Sequence, residues 1–201
     1  SMIKYFLTLV WALTMTSAYA QTSDIMKKNI LTQRQLSLAE CASLEAQGDM
    51  VRLDVALNKA LDNGVSVNEL KEAFSQLYAY TGFPRSLNAL NRLKNVLDDR
   101  KHKGICDNEG KPWTKPALWN DASEALKRGT EVQSRLVGGR EYKYNFCPQE
   151  DYYLKSHLFG DIFAGDQLSE ADREIVTVAA LSGMKLSLIH ISEPTRPRLI
   201  S

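Results

Sequence analysis

The chain has almost no net charge: 25 Lys and Arg stand against 24 Asp and Glu, for a formal charge of +1. No field of one sign is available to gather nucleic acid or an anionic membrane surface. Its three cysteines, Cys41, Cys106 and Cys147, form no Cys-x-x-Cys. Its three histidines, His102, His157 and His190, make no ligand spacing with Asp or Glu that suggests a metal. No metal and no cofactor is therefore expected. A long apolar run is missing after the first twenty residues. Within them, Lys4 precedes YFLTLVWALTM, and Ala18-Tyr19-Ala20 fits a small-x-small cleavage site. The run is shorter than the roughly 20 residues a membrane span needs. Residues 1–20 therefore read as a cleaved signal peptide, and the mature protein is expected to be exported to the periplasm without a stable membrane span.

What is present is helical periodicity. Hydrophobic residues make up 44% and charged residues 24%, an ordinary globular balance. LTQRQLSLAECASLEAQGD predicts a helix opening at Thr32 and closing near Gly48. MVRLDVALNKALDNG predicts a second, with Val51, Val55, Leu57 and Leu61 inward and a stop at Asn63-Gly64. SVNELKEAFSQLYAY carries a Ser66–Glu69 capping box and an apolar line of Val67, Leu70, Phe74 and Leu77. Thr81-Gly82 breaks this third helix. Pro84 then opens a fourth, with Leu87, Leu90, Leu93 and Leu97 inward and an end near Gly104.

Residues 104–150 read as a mostly irregular connector with one helix, from about Asn120 to Gly138-Gly139. Of the cysteines, Cys41 sits on an apolar helix face and reads as core, leaving Cys106 and Cys147 as the plausible bridge. EDYYLKSHLFGDIFAGD predicts a further helix, and Ser169 with Asp172 caps another. LSEADREIVTVAALSG echoes LTQRQLSLAECASLEAQG, which suggests an internal repeat.

The stretch GVSVNELKEAFSQLYAYTGFPRSLNALNRLKNVLDDR resembles the carboxymuconolactone decarboxylase family, an all-helical superfamily that also holds the alkylhydroperoxidase D proteins. Gly64, Ser66, Glu69, Leu70 and Glu72, followed by Tyr80, Gly82, Phe83, Pro84, Arg85, Ser86, Leu87 and Asn88, carry the resemblance. It implies an all-α, alkylhydroperoxidase D-like bundle: one complete unit at 31–103, the connector at 104–150, and the start of a second unit at 151–185. Residues 186–201, from LSLIHISEPTR onward, resemble a translated library adapter, and the expectation is a non-native tail on a truncated second unit whose apolar faces are left uncovered. The resemblance also implies a homo-oligomer.

The redox branch of this superfamily uses a Cys-x-x-Cys-x-x-x-His motif, because a thiolate nucleophile needs its pKa lowered. The corresponding positions here are Asp49, Arg52 and Ala56. Peroxidase or peroxiredoxin-type chemistry would have to use thiols outside the visible unit. The decarboxylase branch also commonly places a histidine at the position of Ala56. What remains is a polar stripe. Glu69, Glu72, Gln76 and Tyr80 follow one another at helical spacing on the third helix. Arg85 and Asn88 follow the Gly-Phe-Pro bend.

The reading is acid/base chemistry on a small lactone or carboxylate, with Glu72, Tyr80 and Arg85 catalytic and Glu69, Gln76, Asn88 and His157 binding substrate. Set beside it are a structural role for the same residues, with Glu69 a cap and Glu72 and Gln76 a solvated face, and a non-catalytic oligomeric module.

Overall fold

A computed structural model describes residues 31–114, 121–140 and 143–191. The signal peptide predicted at 1–20 and the stretch 192–201 lie outside the described residues. Every element within them is helical. The helices are α1 (Gln33–Gln47), α2 (Met50–Asp62), α3 (Val67–Thr81), α4 (Phe83–His102), α5 (Ala122–Leu136), α6 (Pro148–Tyr153) and α7 (Glu170–Ile191). After α6 the chain continues as wide π-helical turns over Leu154–Asp161 and a tight 3-10 turn over Ile162–Ala164. None of these helices is long and apolar enough to cross a membrane.

The caps form as the sequence specifies. The Thr32 hydroxyl accepts from the Gln35 amide, and Gln35 reaches back to the Thr32 amide. The Ser66–Glu69 box closes in the same way, with Glu69 Oε2 accepting from the Ser66 amide at 2.7 Å. Ser169 Oγ accepts from the Asp172 amide at 3.1 Å. Such caps satisfy helix-end donors that no backbone carbonyl reaches. Gly82 holds φ +82°, where a Cβ is disfavoured, and Pro84 supplies the fixed φ of a first helical turn. Together they fold α4 back along α3.

The core joins α1, α2, α3, α4 and α7. Leu38, Leu53, Leu57, Leu70, Phe74, Leu77 and Leu93 are all at most 1% exposed, and Val176 and Ala180 of α7 enter the same cluster. The most extensive contact of α7 is along α1. Val176 and Ala180, expected to lie on an uncovered face, are buried against the first unit. The helix also runs six residues past the boundary predicted at Leu186. Nothing before Pro194 removes a backbone donor or clashes with the preceding turn, so the pattern LSLIHI continues helically.

Several inward positions need correcting. Val51 and Val55 are 79% and 69% exposed, and Leu87 is 54% exposed. On α2 the buried line is Leu53, Ala56, Leu57 and Ala60, which matches helical spacing and lets α1 approach closely over the alanines. On α4 the small residues Ser86 and Ala89 face in, with Leu93 and Val96, and this turns Leu87 outward.

The predicted Cys106–Cys147 bridge is absent: all three thiols are free, with Cys41 buried, Cys106 exposed and Cys147 between the two. Desolvation of Cys41 in the apolar core pushes its thiol up to about 12, which removes it from thiolate chemistry.

The first part of the connector is more ordered than predicted. Residues 105–114 form a strap across the start of α3, where the Asn108 and Glu109 carbonyls accept from the Val67 and Asn68 amides at 2.9 and 3.0 Å. Arg100, with its side chain 7% exposed, holds the strap through Asp107 at 3.0 Å and ties it to Asp62 at 2.8 Å. Sequence periodicity carries no trace of this, because the strap's backbone caps a helix rather than forming one.

Replacing Phe74 with Ala should cost about 3–5 kcal/mol of folding stability in chemical denaturation, as for a large core cavity. Val55→Ala should stay within about 0.5 kcal/mol. Equal losses at the two positions would contradict the burial pattern.

Candidate functional site

The α3 stripe is not a solvated face. It meets α7 in a ladder of polar contacts whose centre is Arg173, a fully buried side chain. Its Nη2 donates to Glu72 Oε1 at 2.5 Å and to the Gly165 carbonyl at 2.7 Å, while Nη1 donates to Gln76 Oε1 at 2.9 Å. The guanidinium also lies 5.6 Å from the centre of the Phe163 ring. Gln76 returns two bonds, donating to the Arg173 carbonyl at 3.1 Å and to Thr177 Oγ1 at 2.8 Å. Tyr80 continues the ladder with a hydrogen bond to Thr177. Loss of water around its phenol and the negative charge of Glu174 push it up to about 12, so it remains a neutral phenol. At the other end, Arg34 of α1 bridges Glu69 and Asp172, reaching Asp172 Oδ2 at 3.0 Å.

Gly165 presses directly on this pair. A Cβ there would stand 2.2 Å from Glu72 Oε1 and 2.9 Å from Arg173 Nη2. Only glycine lets the loop after the π-helical turns close over the ion pair.

Two members of the ladder, Glu72 and Gln76, together with Gly165, line a cleft of about 980 Å³, with Arg173 buried beneath them. One wall is the groove between α3 and α4, with Tyr78, Phe83, Leu87, Leu90 and Leu97. The other is the π-helical segment, with His157 and Asp161, followed by Ile162 of the 3-10 turn, and Trp113 of the strap joins the lining. His157 Nδ1 lies 3.0 Å from Asp161 Oδ2, and its ring is 5.7 Å from that of Tyr78. Tyr78 in turn stacks on Phe83 at 4.2 Å.

Of the residues singled out in the sequence, Glu72, Gln76 and His157 line this cleft. Glu69 serves its capping box and Arg34. Asn88 is exposed and outside the cleft lining. Arg85, expected to clamp an anion beside Glu72, lies instead near Gly48 and Glu45 at the end of α1. The bend turns α4 so that Ser86 donates to the Phe74 carbonyl at 2.8 Å, which sends the neighbouring Arg85 toward α1 rather than toward Glu72. The cation that Glu72 does meet, Arg173, was missed. Its only signal in the sequence was an arginine next to an apolar-small helix face, which reads equally well as a surface residue.

The three positions of the redox motif are occupied structurally. Asp49 caps α2, Arg52 bonds it at 2.6 Å, and Ala56 is buried. Among the described residues no cluster of His, Cys, Asp and Glu is arranged to hold a metal.

Fold and ladder together define an all-helical bundle of the decarboxylase and alkylhydroperoxidase D type. Residues 14–95 match the Carboxymuconolactone decarboxylase family, so this stretch of the chain is similar to that family. No curated protein matches the chain.

One further acid stands out beside the bend. Glu45 is completely buried, accepts from the Thr81 hydroxyl at 2.8 Å, and has no partner for its second oxygen. Burial pushes it up to about 7, against the opposing pull of Thr81 and Arg85. An acid whose pKa is raised on folding favours the folded state while it is protonated. Its contribution is full below about pH 4.5, the unfolded value, and is lost as pH rises toward 7. Between those limits folding stability should fall by about 3 kcal/mol from this group. Glu45→Gln should flatten that part of the curve in urea titrations at stepped pH. An unchanged slope in the variant would contradict the assignment.

Proposed function

We propose that the protein is an acid/base enzyme of the decarboxylase-like kind, acting on a small lactone or carboxylate held in the α3–α4 cleft. The observation that carries this reading is the His157–Asp161 pair, which lines the same cleft as Glu72, itself held by the buried Arg173. A proton-transfer group needs a basic atom, a partner that fixes its orientation, and space for the reacting carbon. With Nδ1 turned to Asp161, the free ring position of His157 is Nε2. In an isomerisation a proton leaving the carbon next to a carbonyl would pass to Nε2, the electron pair would move into the carbonyl, and the proton would return at a neighbouring carbon; in a decarboxylation the bond to the substrate carboxylate would break, carbon dioxide would leave, its electron pair would move into the carbonyl, and a proton delivered from Nε2 to the enolate carbon would complete the step.

Glu72 has a different role from the base assigned to it by spacing alone. Its Oε1 is engaged by a buried guanidinium, so it holds the floor and fixes Arg173. Arg173 is already shared among Glu72, Gln76 and the Gly165 carbonyl, which makes it a scaffold for the cleft rather than an open anion clamp. Tyr80 stays neutral beside Thr177 and supports the same floor.

The test uses carboxymuconolactone and a panel of unsaturated lactones, followed by absorbance and carbon dioxide release. Turnover by the unmodified protein should drop about 100-fold or more in His157→Asn, with the helical circular-dichroism signal unchanged. Turnover that survives this substitution, or none on any of the lactones, would contradict the proposal.

A further inference from the structure

We infer that the ligand of this cleft is an anion and that Lys71 holds its carboxylate. This deepens the acid/base reading of the same cleft, on which it rests, by choosing a substrate with a free carboxylate over a neutral lactone. Charges on the lining are matched except at one place. The three acids are Glu72, Asp98 and Asp161, and each already has a basic partner: Arg173 for Glu72 at 2.5 Å, Lys94 for Asp98 at 3.2 Å, and His157 for Asp161 at 3.0 Å. Lys71 is left over. It lines the cleft, is exposed, and makes no ion pair or hydrogen bond among the described residues.

The other cations around α3 are engaged elsewhere. Arg173 is buried and divides its donors among Glu72, Gln76 and the Gly165 carbonyl. Arg34 bridges Glu69 and Asp172 on the far side of α3. Arg85 lies at the end of α1. An acid entering the cleft therefore finds one open ammonium. Two neutral donors that line the cleft, Ser75 and Asn91, are exposed and likewise without a partner among the described residues.

Helical spacing places Lys71 usefully. Lys71, Ser75 and Tyr78 follow at four and three residues, so they share one face of α3, and all three line the cleft. The Ser86–Phe74 contact sets how α4 lies back along α3. One turn away from that contact stand Lys71 on α3 and Leu90 with Asn91 on α4. Apolar walls focus the field of a charge into a cleft. Seven residues, about 10.5 Å along the helix, separate Lys71 from Tyr78, whose ring is 5.7 Å from that of His157. The flexible four-carbon stem of a lysine closes part of that gap. A small acid can thus rest its carboxylate on Nζ and bring its reacting carbon to Nε2 of His157. Because an ammonium is a point charge with rotatable donors, it reads the charge of the ligand rather than the plane of its ring.

Isothermal titration with paraconate, a single-ring lactone bearing one carboxylate, and with its methyl ester isolates the charge and needs no turnover. Paraconate should bind about tenfold or more tightly than the ester, as for a hydrogen bond between charged groups. Lys71→Gln changes an exposed side chain, so the melting temperature should hold. It should weaken paraconate about tenfold and leave the ester unchanged, and Lys71→Arg should restore the preference. Lys94→Gln removes a cation already paired with Asp98 and should alter paraconate by no more than about twofold. Equal affinity for acid and ester, no saturable binding of paraconate, equal losses in Lys71→Gln and Lys94→Gln, or a Lys71→Gln effect identical on acid and ester would overturn it. The two readings fail separately. Paraconate bound through Lys71 by a protein that turns over no lactone contradicts the acid/base chemistry alone. Turnover that depends on His157 but is the same in Lys71→Gln contradicts the role of Lys71 alone.

Discussion

The buried guanidinium of Arg173 is the constraint on which the rest of the architecture depends. A cation taken out of water carries a cost of several kcal/mol unless its donors and charge are matched. Here the match comes from three separate elements: Glu72 and Gln76 of α3, the Gly165 carbonyl of the loop, and the ring of Phe163. Only one arrangement of α7, α3 and the loop satisfies it. The polar ladder therefore sets the register in which α7 lies on the bundle, whereas apolar packing of Val176 and Ala180 supplies cohesion without direction.

The cleft follows from that register. Closing the loop over Arg173 brings the π-helical segment up against α3, and with it the His157–Asp161 pair. Wide helical turns are uncommon and often mark sites where side chains must be aimed. The strap, clamped by Arg100, adds Trp113 to the lining. A polar floor, an oriented imidazole and an apolar wall thus come from four parts of the chain that share one cleft. None of the parts is a site alone.

The sequence made the first four helices legible because their signals are local. The Ser66–Glu69 box, the Gly82-Phe83-Pro84 bend and the Leu70–Phe74–Leu77 spacing each depend on neighbours within a turn or two. Family resemblance and family match overlap over residues 31–95. The polar stripe on α3 was visible as a pattern, but its direction was not. Whether Glu72 and Gln76 face water or a helix a hundred residues later depends on a partner, and Arg173 announces itself only as one arginine among many. Arg85 was placed at the site by nearness in sequence and removed from it by the rotation of α4. The strap was illegible for a similar reason: its order comes from Arg100 and from carbonyls that accept from the amides of a helix start, not from any period of its own. Val51, Val55 and Leu87 show the opposite error, in which apolar residues were taken as core although smaller residues on the adjoining face packed more closely.

The most direct measurement is a double-mutant cycle between Glu72→Gln and Arg173→Met, read by equilibrium denaturation at constant pH. If the guanidinium organises α3, α7 and the loop as described, the two substitutions should be strongly non-additive, with a coupling energy of about 2 kcal/mol or more. Additivity within about 0.5 kcal/mol would contradict the account, because it would mean that the two side chains do not meet in the folded protein.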